Sequence, residues 1–374
     1  MAGIYIHIPF CKQACHYCDF HFSTSLKYKD QMVEAICKEI LNRKEEHQEV
    51  IETIYFGGGT PSLLTTDQIQ KILHTIYTHY MVAENPEVTL EANPDDLTEE
   101  KIIALSKTQI NRLSIGIQSI FEEDLKMMNR AHNAIESKKC LELATQYFKN
   151  LSVDLIYGIP NMTLQQWEQN IDFMLNLNIP HISCYALTVE AKTALEKLIA
   201  TGKIPNTDEA QAHEHFLYLI DKLKKAGYDH YEMSNFGKPG FESKNNTAYW
   251  LGKKYLGIGP SAHSFNGKER SWNIANNIVY IKNIENNLPT AETERLTLTD
   301  RYNEYIMTGL RTKWGVNLDY IEKEFGKTFV DYVIKEAQPF LKKNHLLLNN
   351  NILTTTNEGK FFGDGISSNL FKVD

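Results

Sequence analysis

Long apolar runs, surplus basic charge and cysteine are all scarce in this sequence, and each scarcity excludes a class of protein. No apolar stretch approaches the roughly 20 residues of a transmembrane helix, and the first residues lack the charged and apolar regions of a signal peptide. The net charge of −8 argues against a general nucleic-acid binder, because neutralising phosphates requires surplus Lys and Arg. Six cysteines in 374 residues are too few for a disulfide scaffold. We therefore expect a reduced, cytoplasmic protein without a nucleic-acid partner.

Three of the cysteines lie together near the start of the chain. The alternating stretch Ile4–Ile8 predicts a buried strand that ends at Pro9. Cys11, Cys15 and Cys18 follow with the spacing C-x₃-C-x₂-C. Three thiols are one ligand short of a structural zinc site, but they suit an iron–sulfur cluster with one iron left open for chemistry. The remaining cysteines fall among apolar residues and are predicted to be reduced core residues: Cys37, Cys140 and Cys184.

Strand-like and helix-like stretches alternate through the first half of the chain. The predicted strands are Ile4–Ile8, Thr53–Phe56, Val88–Ala92, Arg112–Ile117, Leu151–Ile156 and His181–Leu187. Thr65 with Gln68, and Thr163 with Gln166, are capping boxes that predict helix starts. Six β-then-α units indicate a parallel sheet, either an open doubly wound one or part of a (β/α) barrel.

Residues suited to binding or chemistry follow these strands at their carboxyl ends. They are the three cysteines after the first strand, Gly57–Thr60 after the second, Glu91 at the third, Gln118 at the fourth and Asp154 at the fifth. In barrels these ends meet at one face, where the sites lie. Ordinary loops collect glycine and polar residues too, but five successive cases in register favour a site.

These features resemble the radical S-adenosylmethionine (SAM) enzymes, and YIHIPFCKQACHYCDF resembles their branch of coproporphyrinogen oxidases (HemN) and haem chaperones (HemW). The resemblance implies a six-unit partial barrel and a [4Fe–4S] cluster on Cys11, Cys15 and Cys18 whose fourth iron binds SAM. It extends through GGGTP, TLEANP, GIQS, MNRAH and VDLIYGIP. The SAM-contacting positions that it implies are Tyr5, Tyr17, Gly58, Gly59, Thr60, Glu91, Gln118, Arg130, Asp154, Ala186 and His263.

The alternation stops at about Tyr228, which predicts a change of domain. We expect a partial barrel over residues 1–227 and a smaller α+β domain over residues 228–374. Within the second domain, two short helices, Leu318–Phe325 and Phe329–Lys342, precede a hairpin over residues 349–351. Helix, helix and hairpin resemble a winged helix. Given the acidic chain, we interpret it as a packing or partner module and not as a DNA reader.

Two features favour the haem-chaperone branch over the oxidase branch. Phe20 stands where the oxidases carry a fourth cysteine, and the chain has no extension before its first strand. The resemblance then implies haem or another tetrapyrrole as ligand and haem-acceptor proteins and an electron donor as partners. It leaves a homodimer and peripheral membrane contact open.

Position 245 departs from the chaperone pattern. The family motif H-N-x-x-Y-W carries a candidate haem ligand, and here Asn245 replaces its histidine. Asn is a poor axial ligand, so we expect weaker haem binding, with His230, His263 or a cysteine as substitutes. Four aromatic residues nearby in sequence are available to contact a flat ligand: Tyr249, Trp250, Tyr255 and Phe265.

Three alternatives to a haem chaperone remain at this level. The first is an oxidase that decarboxylates coproporphyrinogen III after radical hydrogen abstraction. The second is a radical SAM enzyme for another substrate, such as a nucleotide or a modified RNA. The third is a carrier that keeps the cluster only for dimerisation or redox sensing.

Overall fold

A computed structural model describes residues 2–46 and 48–373. In the first part of the chain each strand is followed by one or two helices. Its strands are β1 (Ala2–Ile8), β2 (Ile51–Gly58), β3 (Val82–Ala92), β4 (Arg112–Gln118), β5 (Asn150–Tyr157) and β6 (His181–Ala186). Its helices are α1 (Lys29–Asn42), α2 (Thr66–His79), α3 (Glu99–Leu105), α4 (Glu122–Met127), α5 (Ala134–Tyr147), α6 (Leu164–Asn176), α7 (Ala194–Ala200) and α8 (Glu209–Lys225).

The second part of the chain mixes short strands and helices. Its strands are β7 (Asp229–Glu232), β8 (Asn235–Gly237), β9 (Lys254–Ile258), β10 (His263–Phe265), β11 (Glu269–Asn273), β12 (Ala291–Arg295), β13 (Val316–Asn317), β14 (Leu346–Asn349) and β15 (Ile352–Thr355). Its helices are α9 (Lys244–Trp250), α10 (Asn277–Glu285), α11 (Leu298–Leu310), α12 (Leu318–Phe325), α13 (Lys327–Lys342), α14 (Asn357–Phe361) and α15 (Gly363–Leu370).

The six strands β1 to β6 lie side by side in chain order, and each pairs in parallel with the next. Every residue of β4 is buried, as expected for strands covered on both faces. The sheet continues beyond these strands into β9 to β12 on the β1 side and into β8 and β7 on the β6 side. The predicted parallel α/β sheet with the topology of a partial (β/α)₆ barrel is confirmed.

Helix starts follow the capping chemistry of the sequence. Thr65 accepts from the backbone of Gln68 at the start of α2, and the Gln68 side chain bonds back to the Thr65 backbone. Thr163 and Gln166 form the same reciprocal pair at α6. Each pair satisfies two backbone N–H groups that a helix end leaves unpaired. Both predicted capping boxes are confirmed.

The apolar core divides at a different place from the change in strand pattern. One cluster extends from the barrel strands through Leu256 and Ile258 to Ile284 in α10. A separate cluster begins at Tyr302 and ends at Leu370. The elements between residues 228 and 285 therefore extend the barrel sheet and share its core, whereas α11 to α15 enclose a core of their own.

The segment with its own core has the predicted arrangement of two helices and a hairpin. After α12 and α13, β14 and β15 pair antiparallel, and β13 completes a three-stranded sheet. This segment meets the barrel at β7, where Lys360 Nζ lies 3.0 Å from His230 Nδ1 and the Lys313 amide donates to Tyr231 O. No helix among the described residues is both long enough and apolar enough to cross a membrane.

Candidate functional site

The loop that carries the three cysteines follows β1 and is held by neighbouring barrel loops. The Cys11 amide donates to Ser23 O, and the Ser23 amide donates to Pro9 O, which closes the base of the loop. The His16 amide donates to Met128 O, and Lys12 Nζ pairs with Asp95 Oδ2 at 2.8 Å. These contacts reach the loops after β4 and β3. The position of the thiols is therefore set by the barrel and not by the loop alone.

The three thiols are half-buried and free, and they lie near one another. Burial, together with the charges of Cys15 and Cys11, raises the pKa of the Cys18 thiol to about 11. Burial also raises the pKa of the Cys11 thiol, whose sulfur accepts from Thr60 Oγ1 at 3.5 Å. The other cysteines, Cys37, Cys140 and Cys184, are buried within the core as predicted.

The glycine turn after β2 packs directly against the start of the cysteine loop. The Gly59 amide donates to Ile8 O, and the Thr60 amide donates to Phe10 O at 2.7 Å. A Cβ on Gly59 would lie 2.6 Å from Phe10 O, so no larger residue fits without moving backbone. Gly58 has a φ of +104°, and a Cβ there would contact the His7 ring at 2.5 Å. The amides of Gly59 and Thr60 therefore hold the start of the cysteine loop.

Two carboxyl groups point into the interior of the barrel below this turn. Tyr55 donates to Glu91 Oε1 at 2.7 Å, and burial raises the pKa of the Glu91 carboxyl to about 7. Ser114 Oγ lies 3.4 Å from Asp154 Oδ1, and burial raises the pKa of that carboxyl to about 6. The charge of Asp154 also raises the pKa of Glu91, and two acids with pKa values near neutrality are typical of a ligand site.

Arg130 connects the cysteine loop to the barrel strands. Its Nη1 lies 3.3 Å from both Cys15 Sγ and the Tyr17 hydroxyl, and its Nη2 donates to Asn93 Oδ1 and Gly116 O. Its buried Nε has no hydrogen-bond partner in the described chain. Gln118, which follows Gly116 at a register shift in β4, has a φ of +66°, a left-handed conformation that only a few non-glycine residues adopt.

The donor set fits a cluster better than a single metal ion. Across residues 2–46 and 48–373, no three His, Cys, Asp or Glu side chains converge closely enough to hold one ion. Three thiols on one loop suit a cluster whose irons are bound by different cysteines. Arg130, whose Nε is unpaired, provides a positive charge, and the acids Glu91 and Asp154 provide negative charge. Together they suit a zwitterionic ligand beside the cluster.

The remaining predicted SAM contacts are Tyr5, Ala186 and His263, and they lie on different strands. Tyr5 stacks on Tyr55, with ring centroids 6.1 Å apart, and its hydroxyl lies 3.2 Å from His7 Nδ1. Ala186 ends β6 and pairs with Tyr157. His263 begins β10 and lines a separate cavity that shares Tyr5 but whose described lining omits Glu91, Gln118, Arg130 and Asp154.

That cavity, the interdomain cavity, has a volume of about 850 Å³ and lies between the β9–β11 edge of the sheet and the C-terminal segment. The four aromatic residues that the sequence placed near one another all line it: Tyr249, Trp250, Tyr255 and Phe265. Tyr249 and Tyr255 meet edge to face at 4.5 Å. Phe20, at the end of the cysteine loop, is 69% exposed and forms part of the same wall.

Asn245 is not among the residues that line this cavity. Its side-chain Oδ1 accepts from Thr53 Oγ1 at 3.1 Å, and its backbone amide donates to Glu87 Oε1. The side chain is 3% exposed. His230 is also unsuited to bind a ligand, because its ring nitrogens already face Met233 O and Lys360 Nζ and it stacks on Phe236.

Sequence reasoning assigned no role to Tyr55 and Asn93. Asn93 bridges Thr60 and Arg130 through its two side-chain atoms, and Tyr55 fixes Glu91. Asn93 lies in the stretch Glu91–Pro94, which the sequence marks as a strand-end candidate without a role for this residue. No sequence pattern indicates a binding role for Tyr55, because a tyrosine in a buried strand is predicted to be a core residue.

Comparison with known proteins identifies the relatives of this chain. Residues 5–174 match the radical SAM superfamily, and residues 296–362 match the HemN C-terminal domain. The haem chaperone HemW of Bacillus subtilis is 32% identical over 371 residues, covering 98% of both chains. HemW of Escherichia coli is 35% identical over 70% of this chain and 69% of its own. The solved coproporphyrinogen III oxidase HemN of Escherichia coli shares the fold, with a TM-score of 0.86 over 99% of this chain and 90% of its own, at 22% identity.

Proposed function

This chain belongs to the HemW family of radical SAM proteins, and from that membership we propose that it binds a [4Fe–4S] cluster, SAM and haem and delivers haem to acceptor proteins. The observation that carries the proposal is the convergence of the cysteine loop, the glycine turn and two buried acids at one end of the barrel.

The cluster is held by Cys11, Cys15 and Cys18, and SAM binds at its open iron. The carbonyl groups of the glycine turn, with Thr60, accept from the SAM ammonium. Arg130 and Gln118 bind its carboxylate end, and Asp154 binds the ribose hydroxyls. Glu91, Tyr5 and Tyr17 complete the walls, and Ala186 lines the far side. When bound, the cluster supplies one electron to SAM.

We propose a working division into a barrel over residues 1–227 and a C-terminal part from residue 228. The protein acts in the cytoplasm, takes an electron from a donor protein and passes haem to acceptors. The C-terminal segment has a separate core and forms the contact surface for a partner. That partner is another protein or a second copy of the chain.

Anaerobic purification followed by three measurements tests this function. We expect iron and sulfide in a [4Fe–4S] ratio, a change in the electron paramagnetic resonance spectrum of the reduced cluster on adding SAM, and saturable haem binding. Coproporphyrinogen III should not be converted to protoporphyrinogen IX, because Phe20 stands in place of the oxidases' fourth cysteine. Steady turnover of coproporphyrinogen would identify an oxidase, and absence of haem binding would remove the chaperone function.

A further inference from the structure

The interdomain cavity has the size and the wall chemistry of a site for a large flat ligand. Ligand pockets typically measure about 300–1,000 Å³, and this one measures about 850 Å³. Its aromatic wall is formed by Tyr5, Tyr249, Trp250, Tyr255 and Phe265, whose ring faces can stack on a conjugated macrocycle.

Basic side chains lie along the same cavity. Arg270 pairs with Glu304 at 2.8 Å, and Arg301 approaches Glu324 at 3.7 Å. Lys253 also lines the cavity and has no ion-pair partner among the described residues. Two buried donors in the wall, Trp250 Nε1 and Arg270 Nε, have no hydrogen-bond partner in the described chain. An aromatic wall with unused donors and three cations suits a planar ligand that carries carboxylates.

Three histidines line the cavity, and they differ in whether their ring nitrogens are already hydrogen-bonded. His7 uses both ring nitrogens, with Tyr5 Oη at 3.2 Å and His21 O at 3.0 Å. His21 Nε2 lies 2.8 Å from Asn277 Oδ1. His263 is exposed to the cavity, and no described hydrogen bond involves its ring. Partial burial lowers its pKa, which keeps the imidazole neutral and its lone pair available.

We propose that the interdomain cavity binds haem, with His263 as an axial ligand to the iron and with the propionates at the basic edge formed by Lys253, Arg270 and Arg301. This assignment rests on the proposed function and deepens it. It differs from the ligand position that the family motif suggests, because Asn245 is buried against Thr53 and does not line the cavity.

Titration of the cluster-loaded protein with ferric haem, without oxygen, tests the ligand. His263→Ala should weaken haem binding at least tenfold and shift the Soret band, and added imidazole should restore the wild-type spectrum. His74→Ala, an exposed histidine on α2, is the matched control and should leave both unchanged. Metal-free protoporphyrin IX should bind wild type and His263→Ala equally, because no axial bond is lost.

Two further measurements test which residue binds the iron and whether the basic edge binds the propionates. Asn245→His should leave the Soret band unchanged, and haem dimethyl ester should bind several-fold more weakly than haem. An unaltered spectrum and affinity in His263→Ala would overturn the ligand assignment while the proposed function stands. Failure of the wild-type protein to bind haem at all would instead remove the proposed function.

Discussion

At the scale of single residues, the cysteines divide into two chemical classes that the fold separates. Cys11, Cys15 and Cys18 are half-buried on one loop, whereas Cys37 is 7% exposed within the core. Alanine at any one of the three loop positions should abolish the visible iron–sulfur absorption of the reconstituted protein, because we propose that each thiol binds one iron of the cluster. Cys37→Ala is the control and should retain full iron and sulfide. A complete cluster in the triple variant would contradict the site.

The contact between Arg130 and Cys15 should tune the cluster. A donor and a positive charge at a cluster sulfur stabilise the more reduced, more negative state. Arg130→Gln should therefore lower the midpoint potential of the cluster by roughly 50–100 mV. This range corresponds to the loss of one charge-assisted hydrogen bond, because about 1.4 kcal/mol equals about 59 mV for a one-electron couple. Arg130→Lys, which keeps the charge, should fall between the two. Redox titration followed by electron paramagnetic resonance measures the shift, and equal potentials in all three proteins would refute it.

Glu91 should make stability depend on pH in a defined direction. Burial raises its pKa from 4.5 to about 7, so between these values the folded state binds more protons than the unfolded state. Stability should therefore fall as the pH rises through this window. Glu91→Gln should flatten the dependence of Tm on pH between 4.5 and 7, and the exposed Glu142→Gln should not. An unchanged slope in Glu91→Gln would show that the carboxyl titrates as it does in water.

At the scale of elements, the glycine turn joins β2 to the cysteine loop by backbone hydrogen bonds. Because a Cβ at Gly59 would meet the backbone oxygens of Phe10 and Ile8, Gly59→Ala must displace one chain from the other. We expect a loss of about 1–3 kcal/mol in the free energy of unfolding and poorer cluster retention. Gly365→Ala, where a Cβ meets nothing within 4 Å, should be neutral or slightly stabilising. Denaturant unfolding with iron analysis compares the two.

At the scale of the whole molecule, the interdomain cavity connects two separate apolar cores. A ligand that fills it contacts β9 to β11 on one side and α11 on the other, so bound haem should slow amide hydrogen exchange in both segments together. Exchange in the distant α2 should stay unchanged. Protection confined to the barrel strands would place the ligand elsewhere.

The local chemistry of the sequence was sufficient to predict the elements and to propose a metal site. Hydrophobic periodicity and capping pairs such as Thr65 with Gln68 predict helix and strand positions, because these depend on neighbours within a few residues. The cysteine spacing and the strand-end polar residues indicate a cluster site for the same reason. The resemblance added the cofactors.

Other properties depend on residues far apart in the chain, and only the tertiary structure determines them. The sequence cannot show that the amides of Gly59 and Thr60 are bonded to Ile8 O and Phe10 O, since 49 or more residues separate the partners. It offered His230, His263 or a cysteine as haem ligand in place of Asn245, whereas the fold engages both ring nitrogens of His230 and exposes His263 to the cavity. Short-range patterns select elements, but side-chain environment depends on how those elements pack, and a binding site is defined by that environment.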